Sequence, residues 1–340
     1  MLETIQVGSF ALIEMMAPAI LPLALSADLS DEERTIQYHL ENHVRVLSHN
    51  IGPRHTRRPG KLEAAAQYIE SEFQKLDVEI NLLEYITSDG HMVRNVEGLI
   101  PGLDSSRSLV IGAHYDSVEI SRDLEEDCPG ADDNGSAVAV LLEIGRLLAT
   151  LKARSRNTIR LVAFANEEPP YFLTEDMGSR RYSCMLRSQG ERVVGMICLE
   201  TVGHYSNEPK SQTIPPPIDS FFDHDRGNFL AIMSDRSSGQ FLKSVVNQFA
   251  IVSDFPCVGL IAEQGFVGLE MSDQVSFWRE GFKAIMVTDT VFMRTPKPHA
   301  HTTTYHTRED TWEKLNYAAM AEVTDGLTKV VHSLSTSPSS

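Results

Sequence analysis

Cysteine is scarce in this chain: Cys128, Cys184, Cys198 and Cys257 are four in 340 residues, with no CxxC pair among them. That excludes a cysteine-built zinc ribbon and a disulfide scaffold. The four are read as free thiols packed as small hydrophobes. Cations are also short, with 30 Lys and Arg against 47 Asp and Glu and a formal net charge of −17. Neutralising phosphates takes clustered cations, so nucleic acid is excluded as a partner. Long apolar runs are missing too. The run from Val7 to Ala27 is broken by Glu14, Pro18 and Pro22, whereas a membrane-spanning helix takes about 20 apolar residues with few charges. Met1 to Gln6 offers only Glu3 where a secretory signal carries a basic segment, although "LALSA", ending at Ala27, has the small residues of a cleavage site. Residues 1–32 are therefore read as an N-terminal extension with some leader character. The chain is expected to be soluble, in the cytoplasm rather than secreted, with no membrane association beyond such a leader.

What is present is a large apolar fraction, 42% of residues, enough for an extensive core. Residues 30–50 read as a helix: "SDEE" is a capping box, and Ile36, Leu40, Val44 and Leu47 recur at helical spacing. "NIGPRHTRRPG" is a loop by its Gly, Pro and basic content, and a second amphipathic helix spans 61–76. Strands are expected at 78–85 and 93–100. Short apolar runs at 108–114, 158–166, 193–199, 228–234 and 284–289 then alternate with helical patterns at 134–151, 177–189, 239–249, 275–280 and 317–334. That alternation predicts an α/β fold: a mixed, mostly parallel central sheet with helices on both faces. Residues 33–334 form one domain in this reading, 210–225 is an irregular insertion, and 335–340 is a disordered tail.

The polar residues fall where the chemistry of such a fold belongs. Ligand sites in open α/β sheets collect beyond the carboxyl ends of the strands. Here those ends read "GAHYDS", "ANEEPP" and "LETVGHY", and "GADDNGS" precedes the 134–151 helix. Several carboxylates converging on one spot repel one another unless cations sit between them. Carboxylate oxygens with one or two imidazoles suit zinc or a similar divalent ion. Taken singly, Asp133 reads as a helix N-cap. His299, His301 and His306 lie too close in sequence for spacing to choose among them.

Together, "GAHYDS", "GADDNGSAVAVLLEIGRLL", "FANEEPP", "MGSRRY", "SDQVSFW" and "YHTREDT" occur in the order seen in the M28 family of co-catalytic zinc exopeptidases. The resemblance covers about residues 36–334 and implies a zinc exopeptidase (phosphorylase/hydrolase-like) fold with two zinc ions per chain. Carried over, it implies His114 and Glu200 as ligands of one zinc, Glu168 and His306 as ligands of the other, and Asp132 bridging both. A cis peptide is implied between Asp132 and Asp133. Asp116 is implied to orient His114, and Glu167 to act as general base toward a zinc-bound water. Two positions depart from the commoner pattern. Glu200 stands where Asp is usual, as in a bacterial branch that "LETVGHYS" resembles, and Gln274 of "SDQ" stands where His is usual.

The activity so implied is hydrolysis of peptides at a chain end, with release of N-terminal amino acids as the first reading. A carboxypeptidase is kept open by Arg58, Arg180 and Arg181. A glutaminyl-cyclase-like acyl transfer, using one zinc, is the other alternative. His204 and His224 are read as structural or surface residues.

Overall fold

The computed structural model describes residues 2–7, 11–16, 28–151, 155–216, 218–222, 225–263, 265–294 and 303–336. Helix α1 (Asp31–Arg45) starts on the expected capping box, with the Ser30 hydroxyl accepting from Glu33 N and the Glu33 carboxylate accepting from Ser30 N. Helix α2 (Pro59–Gln74) has proline in its first turn and buries Leu62, Ala65, Ile69 and Phe73. The remaining helices are α3 (Ala137–Thr150), α4 (Gly178–Ser188), α5 (Gly239–Val252), α6 (Gln274–Arg279) and α7 (Tyr317–Thr336).

Ten strands form one sheet: β1 (Leu2–Val7), β2 (Ala11–Met16), β3 (Glu79–Ile86), β4 (Met92–Ile100), β5 (Asp104–His114), β6 (Asn157–Phe164), β7 (Arg192–Glu200), β8 (Leu230–Ser234), β9 (Cys257–Ile261) and β10 (Ala284–Thr288). Their order across the sheet is β1-β2-β9-β8-β10-β7-β5-β6-β4-β3. The parallel character is concentrated at the centre, where β10, β7, β5 and β6 run together, with β8 and β9 a second parallel pair. Both flanks are antiparallel. The predicted α/β architecture is therefore present, with a smaller parallel share than the strand–helix alternation suggested.

Strand β5 shows why helices cover both faces. Leu109 and Ile111 belong to the core cluster shared with α1, α2, α3, α5 and α7, whereas Val110 belongs to the one that holds Tyr182 and Leu186 of α4 and Phe277 of α6. Successive side chains alternate faces, so a central strand buried on both sides is apolar throughout. All four cysteines are free.

Three strands were not anticipated: β1, β2 and β9. Strand β9 is five residues long and contains Gly259, so it carries little pattern. Strand β2 comes from the segment read as an extension. It pairs antiparallel with β9 and buries Ile13 and Met15. No described helix is long and apolar enough to cross a membrane. The tail beyond residue 336 lies outside the described residues, as do His224, His299 and His301.

Candidate metal centre

The carboxyl ends of the central strands bring six side chains together. His114 closes β5, Glu200 closes β7, and Glu167 and Glu168 follow β6. Asp133 comes from the 131–136 segment that precedes α3, and His306 from the 303–310 loop. His114, Asp133 and Glu200 form one group whose nitrogen and oxygen atoms lie within 4.8 Å of one another. Asp133, Glu168 and His306 form a second group on the same criterion. Asp133 belongs to both: Oδ1 is 3.2 Å from His114 Nε2, and Oδ2 is 3.1 Å from His306 Nε2. Glu200 Oε2 is 3.3 Å from His114 Nε2, and Glu168 Oε2 is 3.3 Å from His306 Nε2. Glu167 stands beside the pair of groups, its Oε2 3.8 Å from His114 Nε2.

These atoms fit divalent cations better than they fit one another. His114 Nδ1 and Nε2, Asp133 Oδ1, Glu168 Oε1 and His306 Nε2 are buried and make no hydrogen bond. Buried polar groups are otherwise nearly always partnered. Burial, together with Asp133, pushes the Glu168 carboxyl up to about 8, with His306 opposing. Burial also pushes Glu167 well above the carboxylate range; His114 opposes, while Glu200, Glu168 and Asp273 add to the rise. Crowded carboxylates of this kind cannot all ionise without positive charge at their centre. An N/O donor set with a shared carboxylate suits zinc.

The surroundings hold these side chains in place. Asp116 Oδ1 and Oδ2 accept from the amides of Glu167 and Glu168, both at 3.0 Å, and Oδ1 lies 3.5 Å from His114 Nδ1. Glu167 and Glu168 are adjacent, and a cis Pro169–Pro170 peptide follows them. Asp310 accepts from the amides of Asp132 and Asp133. Asn134 donates to Leu199 O and accepts from Thr201 N, tying the Asp133 segment to the end of β7. Ser272 donates to Glu200 Oε2 at 2.6 Å. The fully buried Arg54 guanidinium donates to the carbonyls of Tyr115, Pro129 and Gly130. The Tyr305 ring stacks on His306 at 3.7 Å.

One sequence assignment is corrected. Asp132 belongs to neither group; its Oδ1 accepts from Gly203 N at 2.8 Å and its Oδ2 is 3.6 Å from His204 Nε2. Asp310 pins both amides of the pair, and Asp133 sits in an extended conformation (φ −105°, ψ 94°). Neighbouring side chains therefore diverge, and it is Asp133 that faces the histidines. The cis peptide falls one residue later than expected, at Asp133–Asn134. Asp133 is consequently not the helix N-cap its position suggested. His204 is structural, as read: it is buried and bonds Thr304 Oγ1 at 2.9 Å. Gln274 is buried and donates to Leu269 O. Asp310 and Asn134 lie inside quoted motifs yet drew no notice, and Arg54 has no sequence signal beyond a basic loop.

Residues 95–331 match the model of peptidase family M28. The chain belongs to that family. A relative in sequence is the uncharacterized protein YfbL of Escherichia coli K12, which is 33% identical over 86% of this chain and 87% of its own length. A probable leucine aminopeptidase of Arthroderma otae is 28% identical over 61% of this chain, which matches about half (49%) of the fungal protein's length. Among solved structures, a zinc aminopeptidase from Bacillus subtilis superposes with a TM-score of 0.64 at 17% identity, over 87% of this chain and 94% of that one. A glutaminyl cyclase from Fimbriiglobus ruber does so at 0.62 and 16% identity, over the same shares. The two structures share the fold of this M28 chain.

An apolar cavity lies over β10, the strand beside the one that ends in Glu200, and none of its lining residues is a donor of the two groups. Thr288 of β10 pairs with Glu200, and Met271 immediately precedes the Ser272 that bonds Glu200. Both line the cavity, with Met233, Leu260, Phe266 and Phe292. Its volume is about 60 Å³. That is room for roughly four to six waters.

Proposed function

We propose that this M28 chain is an aminopeptidase that removes N-terminal residues with apolar side chains, using two zinc ions. His114, Asp133 and Glu200 would hold one ion, and Asp133, Glu168 and His306 the other. The observation that carries the reading is the sharing of Asp133 between two groups of donor atoms, in which buried atoms of His114, Asp133, Glu168 and His306 make no hydrogen bond. When bound, two zinc ions supply Lewis acidity here, polarising a carbonyl and acidifying a water. Glu167 is the carboxylate beside both groups that belongs to neither, so it is free to move protons. It accepts one from the attacking water and hands it to the leaving amine. Burial favours its protonated form, which suits the second task. Asp116 fixes the backbone on which Glu167 stands.

Selection of a chain end follows from the charges around the centre. The acidic groups favour a substrate ammonium. Arg58, Arg180 and Arg181, the cations weighed for a C-terminal carboxylate, are engaged by Asp127, by Glu175 and Glu280, and by Asp176. The cavity over β10 supports an apolar first side chain, in keeping with the leucine aminopeptidase relatives. Glutaminyl cyclization with a single zinc is disfavoured by the second group around His306.

A Glu167→Gln protein tests the mechanism. It should retain two zinc ions per chain by elemental analysis while kcat on leucine arylamide falls about 10²–10⁴-fold. Wild-type turnover in that variant, or one zinc per wild-type chain with cyclization of glutaminyl peptides, would overturn it.

A further inference from the structure

The apolar cavity does not end within the M28-matched segment. It crosses the sheet as a row of side chains, one per strand, whose register is fixed: Cys198 on β7 pairs with Met286 on β10, Met286 with Met233 on β8, Met233 with Leu260 on β9, and Leu260 with Met15 on β2. Paired residues share a face, so the row runs from beside Glu200 to the N-terminal strand. Met15, Met233, Leu260 and Met286 all line the cavity. At about 4.8 Å per strand, the steps from Met286 to Met15 span roughly 14 Å.

From this we infer that strand β2 is a specificity element: through Met15 it forms the far wall of the cavity and sets the longest apolar side chain the site accepts. The inference rests on the aminopeptidase reading above. Met15 lies outside residues 95–331, the segment matched to the family, yet is 2% exposed. Its placement is held from the opposite face, where Glu14 pairs with Lys243 of α5 at 2.8 Å. A slip of one residue would exchange Met15 for the Glu14 carboxylate or for Met16, because side chains alternate along a strand. An unbranched thioether at the stop also makes the limit adjustable, since methionine fills irregular space with little cost.

Met15→Ala should lengthen the cavity and Met15→Phe should shorten it. The first readout is the kcat/KM ratio of 2-naphthylalanine arylamide to leucine arylamide, expected to rise about 10-fold or more in Met15→Ala and to fall comparably in Met15→Phe. The second is binding of 2-naphthylalanine amide to metal-free protein, followed by its own fluorescence, with affinity expected to move in the same directions. If the wild type cleaves no arylamide while this binding still follows Met15, the peptidase reading fails and the cavity wall stands. Should Met15→Ala not fold, Met15→Leu carries the test with a shift of about threefold. Ratio and binding both unchanged in variants that are folded by circular dichroism would overturn the inference.

Discussion

Exchanging the two neighbouring aspartates for asparagine separates the ligand from its neighbour. Asp133 puts one oxygen toward each histidine, at 3.2 and 3.1 Å, and its side chain is only 3% exposed. Asp133→Asn removes the one negative charge common to both groups and leaves the remaining donors with less compensation. Breaking a buried charge pair by removing one partner costs about 3–5 kcal/mol, or two to nearly four decades in affinity. Because the residue serves both groups, both zinc sites should weaken together. Asp132→Asn keeps a carbonyl oxygen to accept from Gly203 N, the bond the aspartate makes now. Its zinc affinity should stay within about tenfold of wild type, in the range of losses for residues that only orient ligands. Zinc titration by calorimetry, with metal content after dialysis, reads both variants. Two tightly held ions in Asp133→Asn beside metal loss in Asp132→Asn would refute the geometry argued here.

Two stability predictions concern carboxylates far from the centre. Burial raises Glu143, but His43, Arg146 and His39 outweigh it and hold the group down to about 2. Its folded value lies below its unfolded one, so it stabilises the protein above about pH 4.5, and that contribution is lost as pH falls toward 2. Glu143→Gln should lower stability at pH 7 by about 2 kcal/mol, a gap that narrows through that window in denaturant titrations. Glu322 is the opposite case: burial, then Glu33 and Asp254, raise it to about 7. Its folded value exceeds the unfolded one, so stability present below about pH 4.5 is lost as pH rises through 7. The group is partly exposed, so Glu322→Gln should add only about 1 kcal/mol at pH 8, a Tm gain of roughly 2 °C by calorimetry, and little at pH 4.5.

The sequence was most legible where one physical rule acts alone. Buried central strands such as β5 are continuously apolar and end in polar residues, so their place and the site's side of the sheet could be read directly. Asp132 and Asp133 could not be told apart because both are acidic and adjacent; the choice is made by Asp310, 177 residues from Asp133, which grips their backbone. His306 was separable from its neighbours only by motif, since its partners Glu168 and Asp133 are distant in the chain. Strand β2 escaped because proline and a charge interrupt its neighbourhood, and its pairing with β9 is a tertiary fact. The cavity was illegible for the same reason: its walls come from six segments with no local pattern.

Arg54 has a wider consequence. By gripping the carbonyls of Tyr115, Pro129 and Gly130, one cation joins the strand end that carries His114 to the approach of Asp133, and it does so without touching either side chain. The placement of Asp133 relative to His114 is thus written into backbone contacts as well as into the ligand side chains. Moving the ligands alone into another scaffold would carry over the chemistry without the ruler that spaces it.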